Sequence, residues 1–327
     1  MTSRIGIDVG GTKCLGVVLD DSGAVVRSER RPTPHDPTAI LDTLAGLVHD
    51  LANDLARDLV QGDGAGEHRD TSAISIGVGV PGLVTRHGVL RAAPNLVDIS
   101  EFEVGRLLSE RLGMHIHVDN DATCAAAAEW RTGVAMGASD VVMVTLGTGI
   151  GGGIIAGGVL QRGTNGFAGE IGHMVVHPDG PPCPCGRRGC WERFASGSGL
   201  GRLAREAAIG KRLRRVVELA GGDTDRVRGE DVQAAAREGD REALDVIDNF
   251  GRWVALGLVN LTNVLDPEMF VLGGGLASSG DLYLGPIQRW FTALLYAPDV
   301  RPHPALAFAT LGDKAGAVGA ALLPELH

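Results

Sequence analysis

Short apolar runs alternate along the chain with longer segments whose apolar residues recur every three or four positions. The short runs predict buried strands, and the three- to four-residue spacing predicts amphipathic helices. The predicted strands are Ile5–Val9, Ala73–Val80, Ile116–Val118, Val141–Leu146, Met269–Leu272 and Ala305–Leu311. The predicted helices begin at Asp36, at Val104, within Asp119–Trp130 and at Asp240, and a last one covers Gly312–Leu323. This alternation of strands and helices is typical of the α/β class.

Two distant segments share one pattern, in which a buried strand ends in closely spaced glycines and a second apolar run follows. They are Ile7–Leu19, IDVGGTKCLGVVL, and Thr145–Ala156, TLGTGIGGGIIA. Gly10 superposes on Gly147 at an offset of about 137 residues. Self-similarity at a fixed offset indicates a duplicated unit. We therefore predict two similar α/β halves that face one cleft.

Charge and composition exclude two classes of partner. The chain has 30 lysines and arginines against 40 aspartates and glutamates, and its net charge is −10. The densest basic run, Lys211–Arg215, is typical of a solvated helix face, so we expect no nucleic-acid partner. No run of about 18 uncharged apolar residues exists, which excludes a membrane span. The first residues enter a strand without the apolar stretch of a signal peptide, and we predict a cytoplasmic protein.

Three of the five cysteines lie within eight residues of each other, inside the segment GEIGHMVVHPDGPPCPCGRRGCWE, Gly169–Glu192. Disulfides are rare in the cytosol, so clustered cysteines there favour a metal site or redox chemistry. One imidazole and three thiolates form the donor set of a tetrahedral structural zinc site. The candidate ligands are His173, Cys183, Cys185 and Cys190. His177 also fits the spacing, and we rank it below His173.

Glycine is abundant, with 49 residues, and it is concentrated directly after buried strands. The three glycine turns are Gly10-Gly11-Thr12, followed by Lys13, then Gly147-Thr148-Gly149, and Gly273-Gly274-Gly275. Such turns can direct backbone N–H groups at an anion, and Asp8, at the end of the first strand, is placed to bind Mg²⁺ directly or through water. An ordinary hairpin explains any single turn equally well. Two similar turns in repeated halves favour a nucleotide clamp, although neither has the order of a phosphate-binding GxxxxGK[ST] loop.

The pair Asn120-Asp121 lies between a predicted strand and an alanine-rich helix. A carboxylate in that place is explained by capping of the helix N-terminus. A kinase also uses a carboxylate at the edge of a cleft to orient a hydroxyl group and accept its proton. The residues alone leave both interpretations open.

The motifs IDVGGTK, DNDA, VTLGTGIGGGI, GEIGH and CPCGRRGCWE occur in this order. Together they resemble the ROK family of sugar kinases and repressors over essentially the whole chain, and most closely its ATP-dependent glucokinases of actinobacteria. The resemblance implies a two-domain actin/hexokinase-like fold of the ribonuclease H-like type. The small α/β domain would comprise residues 1–119 with the C-terminal helix 312–327. The large α/β domain would comprise residues 120–311, with a zinc-binding loop at 173–190.

The resemblance also implies the reaction, which is phosphorylation of glucose at its 6-hydroxyl by ATP with Mg²⁺, a step of glycolysis. Asp121 would be the catalytic base. The sugar would be bound by Gly82, Asn120, Asp121, Glu170, His173 and Glu192. ATP would be bound by Asp8, Gly10, Gly11, Thr12, Lys13, Gly147, Thr148 and Gly149, with Gly273, Gly274 and Gly275 near the adenosine. Zinc would be structural and would hold the imidazole and the nearby carboxylates in place.

Other activities of the family are the alternatives. The chain could phosphorylate N-acetylmannosamine, fructose or allose, with specificity set around Ala92–Asn95 and Glu192, or it could take its phosphoryl group from polyphosphate. A repressor would need a helix-turn-helix before the first strand, for which the start at Ile5 leaves no room. The chain has Asp119 where the family often has Glu, and its Gln61–Ser72 loop looks longer than usual. We expect a homo-oligomer, a dimer or a tetramer.

Overall fold

The computed structural model describes residues 3–61, 74–93, 101–210 and 212–326. Most of the Gln61–Ser72 loop therefore lies outside the described residues. The same holds for Asn95, at the end of the segment expected to set sugar specificity.

The described strands and helices follow the predicted alternation. The strands are β1 (Ser3–Val9), β2 (Lys13–Leu19), β3 (Val25–Pro32), β4 (Ile74–Val80), β5 (Leu83–Val84), β6 (Leu90–Ala92), β7 (Ile116–Asn120), β8 (Val141–Leu146), β9 (Ile150–Ala156), β10 (Val159–Gln161), β11 (Met269–Gly273) and β12 (Ala305–Phe308). The helices are α1 (Pro37–Gln61), α2 (Val104–Leu112), α3 (Asp121–Thr132), α4 (Glu192–Ala195), α5 (Gly197–Ala207), α6 (Arg214–Leu219), α7 (Gly229–Arg237), α8 (Arg241–Leu265), α9 (Gly280–Leu294) and α10 (Ala315–Leu322). Short 3₁₀ helices cover Ile171–His173, Thr224–Arg226, Gly275–Ser279, Gly312–Lys314 and Leu323–Glu325.

Two five-stranded sheets share one topology. The first has the order β3-β2-β1-β4-β7, and the second has the order β10-β9-β8-β11-β12. In each, three antiparallel strands form one side, and two parallel strands continue from the central strand. The central strands β1 and β8 are those that end in the repeated glycine turns. The duplication predicted from the sequence is confirmed, because both copies of the pattern occupy the same place in equivalent sheets.

Successive side chains along a strand point to opposite faces of the sheet, so each strand contributes to two separate cores. In β8, Val142 and Val144 pack with helices α5 to α9, whereas Val141 and Met143 face α3 and α10. The outer face of the first sheet packs against α1 and α2. The central core joins β2 of the first sheet, α3, α10 and strands β8 to β11 of the second sheet. Helices α3 and α10 thus lie between the two sheets.

Helix α10 lies very close to the first sheet. A Cβ atom added to Gly6 would lie 2.0 Å from the carbonyl oxygen of Ala317, and one added to Gly77 would lie 1.8 Å from that of Ala320. Glycines in β1 and β4 are therefore needed for this approach. Among the described helices, none combines the length and the apolar character needed to cross a membrane.

Candidate active site

The segment at the junction of β7 and α3 contains two of the predicted site residues. Asn120 is the N-cap of α3, and its Oδ1 accepts the N–H groups of Ala122 and Thr123 at 2.9 and 3.1 Å. Asp121 is the first residue of the helix, and its Oδ1 accepts the Ala122 N–H at 2.8 Å. Because Asn120 performs the capping, Asp121 is not required as the cap and remains available for chemistry.

Gly82 is tied to the same segment. The Asn120 Nδ2 donates to the Gly82 carbonyl oxygen at 3.1 Å. Gly82 has a φ of 103°, and an added Cβ would lie 2.1 Å from the Ala92 carbonyl oxygen. Glycine is therefore required where the chain passes Asn120.

A buried ion pair supports the residue before Asn120. The Arg162 Nε donates to Asp119 Oδ2 at 2.5 Å, and Asp119 Oδ1 accepts the Asn120 N–H at 2.8 Å. A second nitrogen of Arg162 donates to the Leu326 carbonyl oxygen at 3.0 Å. The pair connects the first sheet, the residue after β10 and the C-terminal turn at the base of the site.

Acidic groups raise one another's proton affinity at this junction. Burial raises the pKa of Asp121 to about 6; the Ala122 N–H lowers it in part, and the Glu170 carboxylate raises it further. Burial and the Asp121 charge raise the pKa of Asp8 to about 7, against a lowering effect of Lys13. Burial and Glu192 raise the pKa of Glu170, against a lowering effect of His173. Neighbouring carboxylates with raised pKa values are typical of sites that transfer protons or bind cations.

The four residues predicted to bind zinc lie together. One ligand atom from each of His173, Cys183, Cys185 and Cys190 lies within 4.8 Å of every other. The Cys185 and Cys190 sulfur atoms are 3.6 Å apart, and the Cys183 sulfur is 3.9 Å from His173 Nδ1. Sulfur atoms on a tetrahedral zinc ion lie about 3.8 Å apart, given a Zn–S distance of about 2.3 Å. The donor set and its spacing therefore fit zinc.

His177, the competing candidate, is held elsewhere. Its ring stacks on Phe194 with centroids 6.1 Å apart, and Phe194 in turn stacks on Trp253 of α8 at 4.1 Å. The cysteine loop is thereby packed against α8. His173 instead directs Nε2 toward Glu170, 3.8 Å from Oε2, while Nδ1 faces the thiols.

Glu192 joins the cysteine loop to the second glycine turn. The Cys183 thiol donates to its Oε1 at 3.0 Å. A Cβ atom added to Gly149 would lie 2.7 Å from its Oε2, so the carboxylate lies against that turn. Glu192 therefore connects the predicted sugar side of the site with the predicted nucleotide side.

A cleft of about 870 Å³ borders the second glycine turn at Gly147 and Thr148. Of the residues predicted to bind ATP, those that line it are Thr12, Lys13, Gly147, Thr148 and Gly275. Residues from all three glycine turns thus border one cleft. Five other predicted residues belong to or adjoin these turns but do not line the cleft: Asp8, Gly10, Gly11, Gly149 and Gly274. Gly273 is buried as the last residue of β11.

The cleft has a second wall that the sequence analysis missed. It is formed largely by the starts of α5 and α7 and includes Gly197, Ser198, Arg205, Arg228 and Gln233. Helix N-termini attract anions, since their first N–H groups lack partners within the helix. The glycine-rich run Ser196–Gly201 was the available signal, and the Ser196 hydroxyl caps α5 by accepting the Gly199 N–H at 3.1 Å.

Comparisons with known proteins agree with this geometry. The family model described as ROK family matches residues 4–325. The chain is similar to the glucokinase of Streptomyces coelicolor, with 38% identity over 98% of this chain and 97% of that protein. It is 37% identical to the glucokinase of Halalkalibacterium halodurans over 96% of this chain and 92% of that protein. Among solved structures, a ROK family glucokinase from Streptomyces griseus in complex with glucose and AMPPNP aligns with a TM-score of 0.81 and 38% identity, over 98% of each chain.

Proposed function

The chain belongs to the ROK family, and on that premise we propose that it transfers the γ-phosphoryl group of ATP to the 6-hydroxyl of glucose. The products would be glucose 6-phosphate and ADP. Relatives named glucokinase, at 38% and 37% identity over nearly the whole chain, support this function. The structural observation that carries it is the position of Glu192, which contacts the cysteine loop on one side and Gly149 on the other. The acceptor residues and the nucleotide cleft therefore adjoin.

The sugar would lie between Asp121 and the cysteine loop. Asn120, Glu170, His173 and Glu192 would bind its hydroxyl groups, and Gly82 would line the pocket. Asp121 would orient the 6-hydroxyl and accept its proton as the oxygen attacks phosphorus. A raised pKa suits this role, since a base works best when its pKa lies near the operating pH.

The donor would occupy the cleft with its phosphates at the glycine turns. Phosphoryl transfer places negative charge on the equatorial oxygens, which backbone N–H groups and Lys13 stabilise electrostatically. Mg²⁺, which accompanies ATP, would be held near Asp8 and would neutralise phosphate charge. This arrangement would bring the acceptor hydroxyl and the γ-phosphorus together for in-line transfer.

We propose that His173, Cys183, Cys185 and Cys190 bind a structural zinc ion. The donor set and its spacing support this assignment; zinc binding would deprotonate Cys183 and replace its thiol hydrogen bond to Glu192. The ion would hold the 173–190 loop and thereby position Glu170, His173 and Glu192, and these side chains, not the ion, would contact the sugar.

We further propose that residues 1–119 with 312–327 form one domain, that residues 120–311 form the other, and that the two close on their substrates. The presence of one equivalent sheet in each half supports this division. Closure would exclude water, which competes with the sugar as phosphoryl acceptor. A cytoplasmic location, a role in glycolysis and an assembly of two or four copies stay predictions.

A kinase assay across a sugar panel tests the proposal. We expect the highest kcat/KM for ATP with glucose, against N-acetylmannosamine, fructose and allose. ADP release measures the ATP reactions, and glucose 6-phosphate is measured directly when polyphosphate is the donor, since that donor forms no ADP. A reaction without sugar controls for ATP hydrolysis. A higher kcat/KM for another sugar or for polyphosphate would replace glucose or ATP in the proposal.

The raised pKa of Asp121 predicts the acid limb of the pH profile. Asp121 must be ionised to accept a proton, and its pKa is raised to about 6. With MgATP saturating, so that Mg²⁺ keeps Asp8 ionised, we expect kcat/KM for glucose to fall about tenfold per unit well below pH 6, because one proton inactivates the base. The profile is measured from pH 5 to pH 8, with the thermal midpoint at each pH to exclude unfolding.

Glu170→Gln is the matched variant for this profile. The Glu170 charge raises the pKa of Asp121, so its removal should move the inflection to lower pH, whatever the variant's level of activity. An inflection that stays in place in Glu170→Gln, or a wild-type profile that is flat down to pH 5, would contradict the assignment.

A further inference from the structure

The glycine turn after β1 is held from behind by Thr33, a residue to which the sequence analysis assigned no role. The Thr33 hydroxyl donates to the Gly10 carbonyl oxygen at 2.7 Å. Its backbone N–H donates to the Thr12 carbonyl oxygen at 3.1 Å. Thr33 follows β3 and is only 7% exposed, so one buried residue fixes two carbonyl groups of the turn.

The planarity of the peptide bond converts these contacts into the direction of an amide. In a trans peptide, the carbonyl of one residue and the N–H of the next point in opposite directions. Because the Gly10 carbonyl faces Thr33, the Gly11 N–H faces away from Thr33. Gly11 is exposed, and an added Cβ atom there would meet nothing within 4 Å. The turn is therefore exposed at Gly11, and its neighbours Thr12 and Lys13 line the cleft.

The Cys14 thiol completes the support. Its sulfur lies 3.5 Å from the Thr33 hydroxyl oxygen, within the core beneath the first sheet. The single hydroxyl proton of Thr33 is engaged by Gly10, so the thiol is the donor in this contact. Burial raises the pKa of Cys14, which keeps the thiol protonated for that role. The hydroxyl proton is thereby directed at the turn and not into the core.

We propose that Thr33 is a positioning residue for the nucleotide donor. It orients the Gly10–Gly11 peptide so that the Gly11 amide points at the phosphates, and it holds the Thr12 carbonyl so that Lys13 starts β2 at the edge of the cleft. Thr33 itself does not touch the nucleotide. This inference rests on the proposed use of a nucleoside triphosphate, and it adds the residue that shapes the first phosphate-binding turn.

Three variants test the inference. Thr33→Val keeps the branched shape and the backbone N–H and removes only the hydroxyl. Thr33→Ser keeps the hydroxyl. Thr262→Val is the matched control, because Thr262 is fully buried in α8 and its hydroxyl donates to the Leu258 carbonyl oxygen at 2.8 Å. Kinetic constants for both substrates, the AMPPNP Kd by calorimetry and the thermal midpoint are measured for each.

We expect Thr33→Val to raise the AMPPNP Kd and the KM for ATP about five- to tenfold, the range that the net loss of one hydrogen bond produces. Its KM for glucose should stay within about twofold of wild type, as should all constants of Thr33→Ser. Thr262→Val should lower the thermal midpoint without changing the AMPPNP Kd. An unchanged Kd in Thr33→Val, or an equal rise in Thr33→Ser or Thr262→Val, would overturn the inference.

The calorimetric arm separates this inference from the proposed function. Wild-type protein that binds AMPPNP but phosphorylates none of the sugars would refute the glucokinase assignment, and the Kd comparison would still decide the role of Thr33. Active wild-type enzyme whose Kd is insensitive to Thr33→Val would refute the positioning role alone.

Discussion

Asp121→Asn is expected to lower kcat by a factor of about 10² or more and to leave the Kd for glucose nearly unchanged. General-base catalysis contributes about 10²- to 10⁴-fold to a rate. An amide can still accept a hydrogen bond from the sugar through its oxygen, but it cannot take the proton released during attack. The effect should therefore fall on turnover and not on binding, and steady-state kinetics with calorimetric titration of glucose separates the two.

The fold should survive this substitution. Burial raises the pKa of Asp121 to about 6, so at neutral pH the side chain is mainly ionised but its charge lowers the stability of the folded protein, and a neutral amide avoids that cost. The amide oxygen can also accept the Ala122 N–H that Asp121 now accepts. We expect a thermal midpoint equal to or above that of the wild type.

Asp245→Asn provides the matched control, because Asp245 is exposed on α8 and the chemical change is the same. It should retain the wild-type kcat. Wild-type turnover in Asp121→Asn would remove Asp121 from the role of base, and another carboxylate of the junction, such as Asp8, would have to be examined for it.

The sequence pattern predicted the architecture because each copy of the duplicated unit is formed by residues that are close in the chain. Each copy of the strand–glycine turn–strand unit is a hairpin whose partners are close in the chain, and its apolar runs identify the central strand of a sheet. Residues near the turns, such as Thr12 and Thr148, could be assigned to one cleft because equivalent strands end at equivalent places. The candidate metal ligands could also be found from the sequence, since Cys183, Cys185 and Cys190 lie in one short loop with a spacing typical of zinc sites.

The second wall of the cleft could not be predicted in this way. Arg205 and Gln233 reach it through the packing of α5 against α7, and side-chain pattern alone does not specify where two helices of one core will begin in space. Thr33 is a further case, because its contact with Gly10 spans 23 residues and depends on the register between β2 and β3. Gly273 is the last residue of β11, so the third glycine turn starts one residue later than the pattern indicated, and its place near the adenosine stays a prediction.

The two interpretations of Asn120-Asp121 required backbone geometry to be separated. Either side chain can cap a helix, and the sequence does not state which residue is the last with an extended backbone. Asn120 has φ −66° and ψ 144°, and it accepts two N–H groups of the first turn, so it is the cap. A shift of one residue in the start of the helix would thus change which of the two side chains caps it and which one is available for catalysis.

Cys185→Ser is expected to abolish zinc binding and to lower kcat/KM for glucose about tenfold or more. A structural site needs its four ligands, and a serine hydroxyl is a poor replacement for a thiolate. Without the ion, the loop that carries His173 and Glu192 would lose its main constraint, and changes of this kind in the support of a site cost about 10- to 100-fold. The KM for glucose should rise more than the KM for ATP, since the loop holds His173 and Glu192, which are proposed to bind the sugar.

Zinc content by mass spectrometry, the thermal midpoint and the kinetic constants are measured together in this experiment. Cys124→Ala is the control for thiol number, because Cys124 is buried in α3 among the small residues that face α10 and lies outside the metal cluster. It should keep one zinc ion per chain. The structural role requires zinc and sugar affinity to be lost together: purified wild-type protein that is free of zinc yet fully active would exclude the metal, and a zinc-free Cys185→Ser with normal KM for glucose would show that the cluster does not shape the acceptor site.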